Sequence, residues 1–422
     1  MRYLLTALFA TCVAGCTQVK EPAVITPEAI VDTYIAIAQA GYEDSLVTAQ
    51  ALERAVDAFL ARPSDSALSD VKAAWLAARI PYQQTEAYRF GNRVVDEWEG
   101  RVNSWPLDEG LIDYTAASYG EESDFNYFYS ANVIANRILD AGGVMVDAIV
   151  ITPQFLAEEL HLLDGVEANV ATGYHAIEFL LWGQDLNETN PGAGNRPWTD
   201  YSLENCTHDN CDRRRDYLKS ATTLLVNDLQ EMVQNWQPGG AAYEDLMAKG
   251  PEGGLATMLT GMGSLAYGEL AGERIRLGLL LNDPEEEHDC FSDNTHNSHF
   301  YDAQGIQNVY MGEYRRVSGE VVSGSSLYDL VRQQAPALSA EMMARLEETG
   351  LAMTALVEAG EQGNTFDVLI GRDNTQGEQI VTRIVDALME ETRTIEKIIN
   401  ELALTNVSIE GSDSLDNPSV VL

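Results

Sequence analysis

The sequence predicts an all-α protein built from two helical bundles. Thr26–Glu28 places a capping hydroxyl, a proline at the first helical position and an early negative charge at the start of a helix. Apolar residues from Leu46 to Leu60 then recur at helical spacing, and Pro63 ends that helix. No segment shows a sustained period-2 alternation between hairpin turns, so the sequence predicts no sheet.

A faint internal repeat supports the division into two bundles. The segment from Glu86 to Gly91 matches the segment from Glu273 to Gly278, and three further matches follow in the same order. We predict a functional cleft between the two halves. The predicted parts are a signal peptide over 1–16, an N-terminal bundle over 26–190, a linker loop over 191–211, a C-terminal bundle over 212–404 and a disordered tail over 405–422.

The first sixteen residues predict an exported, lipid-anchored protein. A basic start precedes an apolar stretch that is too short to span a membrane. It ends in Val13-Ala-Gly-Cys16, which resembles a bacterial lipoprotein cleavage box and predicts lipidation of Cys16. An ordinary signal peptide cut nearby is the alternative. Since Thr17 is not the aspartate that commonly retains lipoproteins in the inner membrane, we expect an outer-membrane anchor facing the periplasm or the cell surface.

The charge balance argues against a nucleic-acid partner. The chain has 66 acidic and 26 basic residues, which gives a formal net charge of −40 over 422 residues. Phosphate binding requires a concentrated positive surface. The acidity raises the local cation concentration weakly, but a salt-adapted surface explains it equally well.

Three cysteines remain after the lipidation site. An exported compartment permits disulfides, and Cys206 and Cys211 are close enough in sequence to close a small loop. Cys290 is then an odd thiol, although it could instead pair with either of the other two.

His175 and Glu178 are the most informative residues of the chain. They lie three positions apart in an apolar run, so both side chains project from one face of a helix. Burying an imidazole and a carboxylate costs free energy unless they are hydrogen-bonded, paired or bound to a metal. A satisfied polar pair and a metal site are therefore both open on spacing alone.

The residues around this pair resemble the signature of the imelysin-like family. Gly173-x-His-x-x-Glu178 leads into Phe-Leu-Leu-Trp-Gly-Gln-Asp185. Two further blocks agree with that resemblance. One runs from Trp75 through Arg79 and Glu86 to Trp105-Pro-Leu-Asp108, and the other, Glu287 to His296, resembles the iron-regulated protein A branch. The resemblance covers nearly the whole chain after the signal, and it implies metal binding, a role in iron acquisition and a peptidase name.

The family-like blocks supply the other candidate metal ligands. A site in a bundle core needs donors from facing helices, and we expect Glu86 and Asp108 to join His175 and Glu178. Their alternative roles are a salt bridge for Glu86 and a turn cap for Asp108. Arg79 lies two helical turns before Glu86 and could neutralise or orient a carboxylate.

Two further groups are candidates with weaker signals. Glu273 and Arg276 are predicted to support the cleft, with an intrahelical ion-pair ladder from Glu269 as the alternative. An acidic insertion, Glu285 to His299, also carries side chains of the types that bind metals. The alternative is a solvated loop in which the histidines have no function. The members of this predicted second cluster are His288, Asp293, His296 and His299.

The sequence is compatible with three functions, namely iron binding, zinc-dependent peptidase activity and metal-free binding. Iron suits an oxygen-rich set with one imidazole, and zinc is the alternative. A zincin helix requires a second histidine, but in this chain Phe179 follows Glu178. In a peptidase, His161 or a histidine of the insertion would have to supply that missing ligand. Glu178 or Glu86 would then act as the base. The third function is metal-free binding of a polymer or protein. If the protein carries metal, a transport partner must receive it, and the sequence does not identify one.

Overall fold

The computed structural model describes residues 25–422, so the predicted signal peptide and Cys16 lie outside the described residues. Helices, with 3₁₀ and π segments included, make up about 64% of residues 25–422, and two small hairpins are the only sheets in that range. The predicted all-α class is therefore confirmed.

The helices follow one another along the chain, with long stretches free of α-helix between α4 and α5 and between α6 and α7. A 3₁₀ turn lies at Glu86–Tyr88, and α9 and α10 are joined by a π-helical segment, Leu265–Arg276. Within residues 25–422, no helix is both long enough and apolar enough to cross a membrane. The helices are α1 Pro27–Ala61, α2 Asp65–Gln83, α3 Arg93–Val102, α4 Glu109–Ile112, α5 Pro153–Phe155, α6 Gly173–Trp182, α7 Cys211–Asn235, α8 Ala241–Ala248, α9 Gly250–Ser264, α10 Leu277–Leu281, α11 Thr295–Met311, α12 Leu327–Gln334, α13 Pro336–Glu361, α14 Phe366–Ile370, α15 Thr375–Glu401 and α16 Asp413–Asp416.

The two hairpins were not predicted. Strand β1 (Ile138–Ala141) pairs antiparallel with β2 (Val144–Asp147), and β3 (Glu313–Arg315) pairs antiparallel with β4 (Val321–Ser323). Strands of three or four residues contain too few alternations for a period-2 pattern to be recognised.

The first helix forms as its sequence predicts. The Ala29 amide donates a hydrogen bond of 3.2 Å to the Thr26 hydroxyl, which caps the helix, and α1 ends at Ala61, before Pro63. Its apolar stripe is buried against α2 and α7. This long helix therefore forms the centre of the packing.

The core does not divide at the predicted linker. Buried apolar side chains from both predicted bundles form one continuous core, and α1 contacts α7 and α9 as well as α2. The linker itself is anchored: Arg196 donates to the Asp113 carboxylate at 2.6 Å, and Arg214 donates to the same group at 2.6 Å. Cys206 and Cys211 form a disulfide in this region, and Cys290 is a free, half-buried thiol. The duplication and the domain bounds stay predictions.

The C-terminal tail differs from the predicted disorder. Asp413–Asp416 forms the short helix α16, which packs on the π-helical segment. The Ser414 hydroxyl is buried and donates to the Gly272 carbonyl at 2.9 Å, and the Glu410 amide donates to the Ser264 hydroxyl at 3.0 Å. A polar composition suggested that the tail could not bury a core of its own, but it is held by hydrogen bonds to another segment.

Candidate metal centre

Helix α6 carries His175 and Glu178 and is buried along its whole length. It begins at Gly173, whose φ of +79° is strained for other residues. A Cβ at this position would lie 2.3 Å from the Val102 carbonyl oxygen, so only glycine fits. The Trp75 indole donates to the Tyr174 carbonyl at 3.0 Å, which fixes the start of α6 against α2.

Glu178 holds His175 in place and leaves one ring nitrogen without a partner. The His175 Nδ1 lies 3.1 Å from the Glu178 Oε2. The other carboxylate oxygen accepts hydrogen bonds from the Ser292 amide at 2.9 Å and hydroxyl at 2.6 Å. The Nε2 of His175 is buried and has no hydrogen-bond partner among the described residues. A carboxylate that orients a histidine in this way is typical of metal sites.

The loop before α11 brings a second imidazole and a carboxylate to His175. The Asp289 Oδ1 lies 3.9 Å from the His175 Nδ1 and 3.7 Å from the His288 Nδ1. The two imidazole rings are 4.7 Å apart between centroids. One donor atom from each of the three residues lies within 4.8 Å of the other two. The site therefore offers two imidazoles and one carboxylate.

Asp289 is held as an ion by its neighbours. Arg79 donates to its Oδ1 at 2.7 Å and to the Asn103 side-chain oxygen at 2.7 Å. Asn294 donates to its Oδ2 at 2.9 Å, and the Ser298 hydroxyl also donates to that atom. Burial alone would raise the pKa of Asp289, but the Arg79 guanidinium and the hydrogen bonds lower it to about 2.

The imidazoles at this site are neutral. Burial, followed by the charge of Arg79, lowers the pKa of His175 to about 3. Burial also lowers the pKa of His288 well below its usual range. Conversely, burial and the Asp289 charge raise the pKa of Glu178. A neutral imidazole has a free lone pair, which is the form that binds a metal ion.

His299 is a further donor beside these residues. Its ring is 6.4 Å from the His288 ring, and both of its nitrogens are buried without a hydrogen-bond partner among residues 25–422. Burial lowers its pKa to about 3, so it is neutral as well. Neither His296 nor His299 belongs to a group of converging donor atoms among the described residues. The His296 Nε2 instead lies 3.0 Å from the Asn297 side-chain nitrogen.

The predicted second cluster is therefore divided by the structure. His288 joins His175, whereas Asp293 joins a group of carboxylates. The alternative of a solvated acidic loop is wrong, because the ligand-type side chains of this segment are buried.

The structure does not bring Glu86 or Asp108 to His175. The Glu86 carboxylate accepts a hydrogen bond of 2.7 Å from Arg274, and Asp108 accepts one of 2.6 Å from Asn126. Neither belongs to a group of converging donor atoms in the described part of the chain. For Glu86 the buried salt bridge with Arg274 is the alternative named in the sequence analysis. Asp108 lies at the start of α4, but its side chain makes no capping hydrogen bond there.

The π-helical segment buries Arg274 in place of the predicted Glu273 and Arg276. In a π-helix the residues i and i+5 lie together, in contrast with the i and i+4 of an α-helix. Arg274 therefore donates to Glu269 at 2.9 Å, as well as to Glu86 and to Asp302 at 3.1 Å. Glu273 is exposed and Arg276 is half-buried, so neither supports the site as predicted.

His161 is not available as a replacement ligand. Its Nε2 lies 3.0 Å from the Gly100 carbonyl, and its Nδ1 accepts from the Ala171 amide at 3.3 Å. Both nitrogens are thus used by the backbone.

Sequence reasoning missed Asp289, Asn103 and Ser292. Asp289 lay inside a recognised block, directly after His288, and this adjacency was the signal that could have found it. Nothing in the sequence indicated that Ser292 would reach Glu178 across 114 positions.

The site is buried rather than open to a cleft. His175, Glu178 and Asp289 are each at most 1% exposed. A cavity of about 300 Å³ opens at the C-terminal end of α6, lined in part by Tyr114, Trp182 and Arg196, but none of the three candidate ligands lines it. Residues of both predicted halves therefore meet at a site whose side chains are buried among residues 25–422.

These features define a helical protein with a buried site of neutral imidazoles and an ionised carboxylate. The chain belongs to the imelysin family, whose pattern matches residues 38–395. It is 22% identical over 367 residues to the iron-regulated protein A of Synechococcus elongatus, covering 83% of this chain and 80% of that protein. The resemblance seen in the sequence is confirmed.

Two crystal structures share the fold. One is an iron-regulated protein A precursor from Parabacteroides distasonis, with a TM-score of 0.64 and 20% identity, covering 89% of this chain and 95% of that one. The other is an imelysin-like protein from Psychrobacter arcticum, with a TM-score of 0.56 and 14% identity, covering 90% and 98%.

Proposed function

We propose that this protein is a cell-envelope metal-binding protein that serves iron acquisition, with iron(II) as the ion held by His175, His288 and Asp289. The observation that carries the proposal is the convergence of one donor atom each from two buried imidazoles and an ionised carboxylate. Each of the two imidazoles also has one ring nitrogen without a hydrogen-bond partner among the described residues. Two histidines and one carboxylate form a donor set that is typical of non-haem iron(II). The name of the cyanobacterial relative supports iron, and zinc is the alternative ion.

Each residue has a distinct part in this proposal. His175 and His288 supply neutral nitrogen donors, and Asp289 supplies the negative charge. Glu178 orients His175, and Arg79 keeps Asp289 ionised. Residues that orient ligands in this way contribute to metal affinity without touching the ion.

The proposed location follows from the N-terminal segment. A signal peptide and a lipidated Cys16 would place the protein on the outer membrane, attached only through its lipid. Its partners would be the metal ion and a transport protein that receives it. Replacement of Cys16 by serine should move the protein from the membrane fraction to the soluble fraction; retention of the variant in the membrane would contradict the anchor.

The test of the site is metal content and affinity of the purified mature chain. Elemental analysis and anaerobic titration with iron(II) and with zinc should show about one iron per chain. The His175→Ala variant should lose high-affinity binding, because it removes a donor and leaves Glu178 without its partner. The His161→Ala variant is the matched control and should bind as the wild type does. Undiminished affinity in His175→Ala, or no metal in the wild type, would overturn the proposal.

The second candidate is a zinc metallopeptidase, which the same donor set favours. Two histidines and a carboxylate also hold zinc in metallopeptidases. A peptide, however, cannot reach residues that are at most 2% exposed unless the loop before α11 opens. The two candidate bases are also engaged, Glu178 with Ser292 and Glu86 with Arg274. Proteolysis that disappears with a chelator and returns with zinc would favour the enzyme.

A further inference from the structure

Three carboxylates form a second group beside the candidate metal centre. Glu287, Asp293 and Asp367 each place one oxygen within 4.8 Å of the other two. Glu287 belongs to this group although His288 and Asp289, the next two residues, belong to the first. The loop before α11 therefore supplies donors to two different groups.

Four of the six carboxylate oxygens of this group are buried without a hydrogen-bond partner within residues 25–422. The Glu287 Oε1, the Asp293 Oδ1 and both Asp367 oxygens have no partner in the described part of the chain. The three side chains are also more than nine-tenths buried, with exposures of 1%, 8% and 0%. Unpartnered buried carboxylate oxygens are costly, so their convergence indicates a ligand.

No positive charge of the described residues compensates the group. None of the three forms an ion pair, and the charged neighbours that act on them are other carboxylates, Asp185 and Asp289 among them. Burial, followed by this mutual repulsion, raises the pKa of Asp293 to about 7; burial raises that of Asp367 to about 6. A bound cation would relieve both the repulsion and the missing hydrogen bonds.

We propose that Glu287, Asp293 and Asp367 bind a hard divalent cation of the Mg²⁺, Ca²⁺ or Mn²⁺ class. A set of carboxylate oxygens without nitrogen or sulfur selects these ions over softer metals. This composition separates the site from the histidine site next to it. The cation joins the loop that carries His288 and Asp289 to the start of α14, so it fixes the ligands of the first site in position.

The test compares the chelator-treated full chain with its Asp367→Asn variant. Calorimetric titration and thermal unfolding are measured with CaCl₂, MgCl₂ and MnCl₂ in turn. Saturating cation should raise the wild-type melting temperature by several degrees, because a ligand that binds only the folded state stabilises it. Asp367→Asn should lose this rise. In chelator alone the variant should be at least as stable as the wild type, since the substitution removes one of three repelling charges.

Two controls keep the result specific to this group. The Asp373→Asn variant changes an exposed carboxylate just after α14 and should keep the full rise. The His175→Ala variant should also keep it, which separates this site from the iron site. No rise in the wild type with any of the three salts, or a full rise in Asp367→Asn, would overturn the proposal. If Asp367→Asn does not fold, Glu287→Gln is measured in its place with the same criteria.

Discussion

Arg79 and Asp289 are separated by 210 positions in the sequence and form a buried ion pair at 2.7 Å. The guanidinium also lies 5.0 Å from the centroid of the Tyr174 ring and 5.5 Å from that of Trp75. The pair thus joins α2, α6 and the loop before α11. Its partners leave Asp289 ionised next to two neutral imidazoles.

Loss of Arg79 should destabilise the fold strongly. Arg79→Ala leaves the Asp289 carboxylate buried without its counter-charge, and breaking such a pair typically costs about 3–5 kcal/mol. Urea unfolding measures the difference. The control is Arg93→Ala, because Arg93 pairs with Glu97 at 2.9 Å on the surface and exposed pairs contribute about 0–1 kcal/mol. Equal losses in the two variants would show that burial of the Arg79 pair does not matter.

Glu178 should affect metal affinity although it is not among the three proposed ligands. Glu178→Gln keeps the size of the side chain but replaces the carboxyl group that holds His175 and Ser292. Loss of such an orienting partner typically costs about 10–100-fold in affinity. Titration with iron(II) measures this. Glu86→Gln serves as the comparison, since Glu86 pairs with Arg274 away from the site, and its affinity should match the wild type. Weaker binding in Glu86→Gln would restore Glu86 to the ligand set.

Gly173 should be intolerant of any side chain. In Gly173→Ala the Cβ meets the Val102 carbonyl oxygen at 2.3 Å, and the residue must also keep a φ of +79°. We expect a loss of more than about 3 kcal/mol, measured by urea unfolding. Gly143→Ala is the matched control. Its φ is +85°, yet no atom lies within 4 Å of the added Cβ, so it should lose only about 1 kcal/mol. Similar losses would mean that the φ angle alone decides the effect.

Local signals predicted the fold class and the centre of the site. Helix caps, apolar spacing and the Gly173–Glu178 motif depend on residues that are close together in the sequence. They can therefore be recognised from the sequence alone. Asp289 and Ser292 reach α6 through a loop more than 110 positions away, and no local pattern specifies that approach. Glu273 was chosen because it matches Glu86 in the internal repeat, whereas the π-helical segment buries Arg274 and leaves Glu273 exposed. The short strands near Gly143 were missed because they are too brief to show a period.

Glu391 should make stability depend on pH. It is buried between α13 and α15, where one oxygen accepts a hydrogen bond of 2.5 Å from Thr349 and the other has no partner among residues 25–422. Burial raises its pKa from 4.5 to about 7. Below pH 4.5 the carboxyl is protonated in both states. Between pH 4.5 and 7 the unfolded chain ionises first, so the folded state loses up to about 3 kcal/mol as the pH rises.

The Glu391→Gln variant isolates this contribution. Because glutamine does not titrate, the stability of the variant relative to the wild type should increase from pH 5 to pH 8. Denaturant unfolding at the two pH values measures that difference. Glu396→Gln, at an exposed position of α15, should show a difference that does not change with pH. A constant difference in Glu391→Gln would mean that Glu391 is ionised in the folded state at both pH values.

The distance along the chain between His175 and Asp289 has a consequence for synthesis. A ribosome that has made α6 has produced only one of the three proposed ligands, and the other two are synthesised more than 100 residues later. An unfinished chain, or a fragment cut between α6 and the loop, therefore holds no complete site. Metal loading would follow synthesis of the loop before α11, and a bound ion would mark a chain in which that loop has packed against α6.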